Sequence, residues 1–364
     1  MTRNGIISHT YPINRWCILE LTMTLSEFVA GTVFETTFLS CILTSALIGN
    51  VSLFVIVYKK RNLLTVTNMF ILNLAAADIL VSVLSMPTTL ITIIKQRWVF
   101  GLPACVVSGY ITILSFIASV MSLAMIAINR YFHIVKWNTY NNTFSRKKAS
   151  VYVAAVWVVS ISLACPPLFG WAEYRFIPEK SYCFVYWPAN VYFVYFMITV
   201  CFFGPLLVIA FSYFKIVMFT RNARRKIAVS RNNLTPPLFQ RRSAASDVEP
   251  KKNGEENFDL DRSKAEVEIP NKPFESRGTE ETRITNTFLL MVALFIFCWT
   301  PFAVTMFFDV YYSRPLPRTV HMISLLFGYG NSACNPILYG ARNSVFKKEL
   351  IKLYSKCWPQ AVEN

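Results

Sequence analysis

The sequence predicts an all-α membrane protein, a seven-transmembrane helix bundle with an amphipathic helix after the last span. Two observations carry this reading. Charged residues make up only 15% of the 364 residues and hydrophobic ones 54%, whereas soluble domains carry about 25% charged and roughly 45–50% apolar residues. The charges that remain are gathered between long runs that lack them. A span needs about 20 apolar residues to cross a hydrocarbon core of about 30 Å. Seven runs reach that length: 36–58, 66–94 (broken only by Asp78), 98–129, 149–172, 181–214, 284–308 and 319–341. Their Leu, Ile, Val and Phe lack the strict alternation of a membrane barrel, so helices, which satisfy their backbone bonds internally, are the expected elements.

An odd number of spans places the termini on opposite sides of the bilayer. The net charge of +16 distributes as 28 Lys and Arg in one set of alternate loops and 8 in the other. The basic side faces the cytoplasm, so residues 1–32 are expected as an extracellular N-terminal tail. This distribution explains the basic charge better than nucleic acid does, and no nucleic-acid partner is expected. Helices 1–5 are expected within 33–214 and helices 6–7 within 284–341. Between them, 215–283 turns rich in Arg, Lys, Asn, Pro and Glu and reads as a long cytoplasmic loop, largely disordered. After the last span, in 342–364, Val345, Phe346, Leu350, Ile351 and Tyr354 alternate with Lys347, Lys348, Lys352 and Lys356. That is the pattern of a helix lying on an anionic leaflet, with Cys357 a lipidation candidate and a free cytosolic thiol the alternative.

Several side chains stand out against this background. Cys105, at the outer mouth of span three, and Cys183, before span five, face an oxidising compartment, and a bridge between them would pin the outer loop to the bundle. The alternatives are two free thiols or pairing with Cys17. Asp78 is the only acid in the middle of a span and needs partners there. Asn50, Ser119, Asn331, Ser332 and Asn335 lie at matching depth. Their oxygens suit a small hard cation such as Na⁺ or a water cluster; the competing reading is hydrogen bonding that glues helices together. Asn129-Arg130-Tyr131 ends span three at the cytoplasmic boundary, and Glu281 precedes span six. An Arg130–Glu281 pair on the surface would contribute only about 0–1 kcal/mol, so its value would lie in biasing a switch. Pro87, Pro205, Pro301 and Pro336 interrupt spans as kinks. No P-loop, HExxH, GxSxG or CxxC pattern occurs, and His9, His133 and His321 are far apart, so no enzyme is expected.

Taken together, the seven spans, Cys105 and Cys183, Asn129-Arg130-Tyr131, Cys298-Trp299-Thr300-Pro301 and Asn335-Pro336-Ile337-Leu338-Tyr339 resemble the rhodopsin-like (class A) G-protein-coupled receptors. Asn50, Leu74 to Asp78, Trp157, Pro205 and Tyr213 extend the resemblance. It implies a sodium pocket at Asp78, Ser119, Asn331, Ser332 and Asn335, with Trp299 as a toggle beneath the ligand. It also implies that Arg130, Tyr213 and Tyr339 rearrange to admit a heterotrimeric G protein, with Tyr131 and Glu281 beside them. The implied ligand pocket holds Thr112, Ser115, Trp299, Phe302 and Tyr329. Arrestin, receptor kinases, membrane lipids and an extracellular ligand are the implied partners, at the plasma membrane, with no covalent cofactor.

Within the class, Val107 to Tyr110, Ile126 to Tyr131 and Tyr182-Cys183 resemble melatonin receptors, while Pro166 to Trp171 and Ile177 to Glu179 resemble opsins. The ligand residues of neither branch are kept. Tyr329 stands where opsins carry the retinal lysine, Ser108 at the counterion position, and Cys201 where melatonin receptors carry a histidine. Thr112 replaces the aspartate of amine receptors. A small neutral or lipid-like ligand, or a peptide using mainly the outer loops, is therefore expected, with coupling to the inhibitory G-protein class by analogy with melatonin receptors. The remaining alternatives are an opsin-like photoreceptor without the lysine, or a non-signalling scaffold or transporter. Asn129 replaces the usual acidic neighbour of Arg130, which implies appreciable basal activity.

Overall fold

The computed structural model describes residues 15–234, 274–312, 314 and 316–357, with side chains described over 26–226, at 229, over 283–312, at 314 and over 316–355. The helices run in chain order as α1 (Arg15–Lys59), α2 (Val66–Lys95), α3 (Gly101–Ile134), the short α4 (Trp137–Thr143) and α5 (Arg146–Ala164). A hairpin of β1 (Tyr174–Ile177) and β2 (Tyr182–Val185) follows. Then come α6 (Val191–Phe196), α7 (Gly204–Leu234), α8 (Phe274–Tyr311), α9 (Arg318–Arg342) and α10 (Ser344–Cys357).

Burial is inverted relative to a soluble protein. On α7, Phe203's neighbours Leu207, Phe211 and Phe214 are exposed, whereas Asn50, Asp78, Ser82, Ser85 and Asn331 are buried. Lipid accepts the apolar side chains, so polar groups turn inward and bond across helices. Trp157 Nε1 donates to Asn73 Oδ1 at 2.7 Å and Asn73 Nδ2 to Ser122 Oγ at 2.7 Å, which ties α5, α2 and α3 together. Six helices among the described residues are long and apolar enough to cross a membrane. The remaining span, α9, falls short because Asn331, Ser332 and Asn335 lower its hydropathy, yet these three residues are buried against α1, α2 and α8.

Element boundaries differ from the sequence expectation in three places. Helix α1 begins at Arg15 rather than beyond residue 32. Glu20, Glu27 and Glu35 end the charge-free count without ending helix propensity, and no proline interrupts the run. The fifth span starts at Val191 rather than 181, because 182–185 is the second strand of the outer hairpin. At the end of the bundle away from the hairpin α7 and α8 carry helix through 215–234 and 274–283, within the segment expected as a loop, largely disordered. Arg, Lys and Ala around Arg221 to Ala228 are good helix formers once the segment is nucleated from the membrane. Residues 235–273 lie outside the described chain.

The fifth span is not a regular helix. Between α6 and α7, Met197–Phe203 winds as a π-helix. Pro205 supplies no N–H, and its ring clashes with the carbonyl four residues back, at Cys201, so the turn before it opens. At the other end of the chain, α10 turns along the bundle base. Phe346 is buried against Tyr339, ring centroids 4.7 Å apart, and the Tyr354 and Ser52 hydroxyls meet at 2.7 Å.

Candidate ligand cavities and coupling face

Cys183 on β2 is bonded to Cys105 on α3, Cα atoms 5.2 Å apart, across a sequence separation of 78. The hairpin therefore lies as a lid on the outer end of α3. Close approach there depends on Gly109, where a Cβ would stand 2.8 Å from the Tyr174 ring and 3.3 Å from the Phe184 Cα. Strand β2 is wholly buried, and burial pushes the Tyr182 hydroxyl well above its ordinary pKa.

Beneath this lid a cavity of about 120 Å³ is lined by Ile113, Phe116, Phe184, Trp187, Met197, Trp299, Phe302 and Met306, among others, with no charged side chain. Trp299 closes its floor, with Phe116 edge-on at 4.5 Å and Phe302 at 5.6 Å. Of the expected ligand residues, Trp299 and Phe302 line this cavity. Thr112, Ser115 and Tyr329 sit to one side. The Thr112 hydroxyl pairs with Ser85 Oγ at 2.6 Å and donates to the Ser108 carbonyl at 2.8 Å, while the Tyr329 hydroxyl pairs with Thr89 at 3.2 Å. The aromatic and methionine wall from Phe116, Phe184, Trp187, Met197 and Met306 was not anticipated from sequence. Such residues look like ordinary core until the hairpin and the π-helix bring them to one place.

Deeper in the bundle, Asp78, Ser115, Ser119, Asn331 and Ser332 line a cavity of about 20 Å³ together with Val81, Phe116 and Trp299, among others. That is room for about one water-sized occupant. Asn335 Nδ2 donates to Asp78 Oδ2 at 3.0 Å, and Ser332 lines the same cavity as this carboxyl. Ser115 Oγ and Asn331 Oδ1 are buried without a hydrogen-bond partner among the described residues, so oxygen atoms stand ready for a further ligand. Asn50 serves elsewhere, donating to the Ser332 carbonyl at 3.0 Å and tying α1 to α9.

At the end of the bundle opposite the hairpin a cavity of about 310 Å³ is lined by Thr67, Asn68, Arg130, Phe288, Tyr339 and Arg342, among others. Arg130 is buried. Its guanidinium donates to Thr67 Oγ1 at 2.7 Å and stands 5.2 Å from the Phe288 ring centroid. Thr67 in turn donates to Asn129 Oδ1 at 2.9 Å, and Asn129 Nδ2 donates to the Tyr140 hydroxyl at 3.2 Å. Thr67 on α2 thus bridges both residues of the motif, a contact that sequence reasoning missed because a threonine in a span carries no signal. The Tyr339 hydroxyl donates to Asn68 Oδ1 at 2.7 Å, whereas the buried Tyr213 hydroxyl has no hydrogen-bond partner among the described residues. Tyr131 packs edge-on against Phe132 at 5.5 Å and points toward α7 through Phe211. The side chains of Glu281 and Cys357 lie outside the described residues.

A multi-pass bundle with a lidded apolar cavity at one end, an arginine-rimmed cavity at the other and a buried carboxylate between them is a transmembrane receptor in form. The family model for the seven-transmembrane receptors of the rhodopsin family matches residues 49–339, and the chain belongs to that family. It is a G-protein-coupled receptor and not an enzyme. It is 26% identical to 5-hydroxytryptamine receptor 4 of Cavia porcellus, over 86% of this chain and 78% of that one. It is 26% identical to the α-1D adrenergic receptor of Rattus norvegicus, over 87% of this chain and 56% of that one. It is 25% identical to human G-protein coupled receptor 161, over 92% and 62%. The chain thus spans little more than half the length of the latter two relatives. Squid rhodopsin has the same fold, with a TM-score of 0.71, 23% identity and coverage of 90% of this chain and 87% of that one.

Proposed function

We propose that this chain is a plasma-membrane receptor, N-terminus outside, for an apolar ligand of lipid-like or small neutral character, coupled to a G protein of the inhibitory class. The observation that carries the ligand reading is the cavity above Trp299, which offers aromatic and aliphatic side chains and no charge. Two of the relatives are named as receptors for amines, but Thr112 here spends its hydroxyl on Ser85 and Ser108 and gives a cation no anchor. The opsin alternative lacks its lysine, since Tyr329 stands at that position.

Binding acts through the difference in affinity for two states of the bundle, one with α8 swung outward at its cytoplasmic end. Arg130 leaves Thr67 in that transition, and Tyr213 and Tyr339 flank the space it enters. Because Asn129 replaces the usual acidic neighbour, Arg130 loses one restraint and depends more on Glu281 and on Thr67, so the switch has appreciable basal activity. Na⁺ beside Asp78, held by oxygens of Ser119, Asn331, Ser332 and Asn335, stabilises the resting state; two unsatisfied oxygens at that cavity support this reading. Exposed Lys347, Lys348 and Lys352 on α10 suit an anionic leaflet, and a palmitate on Cys357 would add to that anchor. Arrestin and receptor kinases share the cytoplasmic face.

Nucleotide exchange on a panel of purified G proteins, without ligand, tests the reading. Membranes carry the unmodified chain, Glu281→Gln or Arg130→Ala. The expected result is exchange on inhibitory-class proteins that rises with Glu281→Gln and disappears with Arg130→Ala. Absence of exchange from all three at confirmed surface expression would contradict it.

A further inference from the structure

This inference rests on the apolar cavity as the ligand site and concerns what sits at its outer end. A second cavity, of about 450 Å³, opens beneath the outer hairpin between the ends of α8 and α9, and Trp187 lines both cavities. Its wall carries Arg175, Lys180, Arg314 and His321 against Glu179 and Asp309. Lys180 is only 4% exposed, and its ammonium donates to Asp309 Oδ2 at 2.5 Å. Asp309 Oδ1 lies 3.5 Å from His321 Nε2. Both oxygens of this carboxylate face basic groups already, so it is poorly placed to receive a cationic ligand.

Two polar atoms on the same wall are buried without a hydrogen-bond partner among the described residues, Trp187 Nε1 and His321 Nδ1. An indole N–H can only donate, and a buried donor without an acceptor costs free energy that a ligand acceptor would recover. With Nε2 turned to Asp309, a neutral His321 presents Nδ1 as an acceptor, so the indole of Trp187 is the unpaired donor on this wall. Phe203 and Phe307, 53% and 41% exposed to the lipid side, line the inner cavity, so an alkyl chain in the bilayer can enter it between the fifth and sixth spans.

We infer that the outer cavity is an oxyanion site and that the ligand is an amphiphile. Lys180, Arg175 and the Trp187 indole receive its acidic head, and its apolar chain lies in the cavity above Trp299. The long ammonium of Lys180 is shared between Asp309 and the ligand oxygens, as three donors allow.

The test uses the full chain in lipid nanodiscs, with empty nanodiscs as blank, and three probes: oleate, oleyl alcohol with the same chain and no charge, and acetate with the head alone. The variants are Lys180→Gln, the double variant Lys180→Gln with Asp309→Asn, which leaves no unpaired buried carboxylate, and Met306→Trp, which fills the inner cavity. Oleate is expected to bind about tenfold or more tightly than oleyl alcohol, the range of a charge-assisted contact. Both Lys180 variants should erase that preference and leave oleyl alcohol within about twofold, Met306→Trp should weaken both long probes, and acetate should not bind measurably. Equal binding of oleate and oleyl alcohol, unaffected by Lys180 but weakened by Met306→Trp, would overturn the oxyanion site and leave the apolar cavity standing. Failure of both long probes to bind the folded protein, or indifference to Met306→Trp, would overturn the apolar cavity as well.

Discussion

Replacing Thr67 by Val removes a hydroxyl that accepts from Arg130 at 2.7 Å and donates to Asn129 at 2.9 Å, at a position that is itself buried. Valine keeps the branched shape and deletes only the bonding. A charge-assisted bond of this kind contributes about 1.5–3 kcal/mol and a neutral one about 0.5–1.5 kcal/mol. If the signalling state keeps neither, the substitution favours it by about 2 kcal/mol at the low end, a factor of about 30. A receptor with about 1% of its molecules active would move to about 20–25%. Ligand-free nucleotide exchange, normalised to surface expression, should therefore rise by more than about tenfold. A basal rate unchanged within twofold at equal expression would refute the claim that Thr67 restrains Arg130.

Other substitutions probe other links. Asn129→Asp keeps the acceptor for Thr67 and adds a charge beside Arg130, so basal exchange should fall several-fold; an equal or higher rate would remove the explanation of basal activity. Na⁺ in place of an organic cation should suppress basal exchange and Asp78→Asn should abolish that suppression; persistence of the sodium effect in the variant would place the ion elsewhere. Cys183→Ala opens a loop spanning a separation of 78 residues, worth about 4.5 kcal/mol by loop-closure arithmetic. It should sharply lower thermal stability and surface expression, and a melting temperature within about 2 °C of the unmodified chain would contradict that role.

The spans were legible because lipid imposes a length and forbids charge, and Asp78, Arg130 and the cysteine pair were legible because each breaks a local rule. What escaped reading depends on distant pairings. Lys180 looked like one more loop charge and His321 like an isolated histidine, until the hairpin returned to the bundle and set both against Asp309. Thr67 became important only through the crossing of α2 and α3. The early start of α1 escaped because counting charges measures where lipid begins, not where a helix does.

The central claim is that binding is transmitted as a displacement of the cytoplasmic end of α8 away from α3, controlled by Arg130. Spin labels at Asn138 and Arg283, with distances measured by double electron–electron resonance before and after adding nucleotide-free G protein, test it most directly. The account predicts a second, longer distance population that grows with G protein and is enriched by Thr67→Val even without it. A single distance, unchanged by G protein that demonstrably binds, would contradict the account.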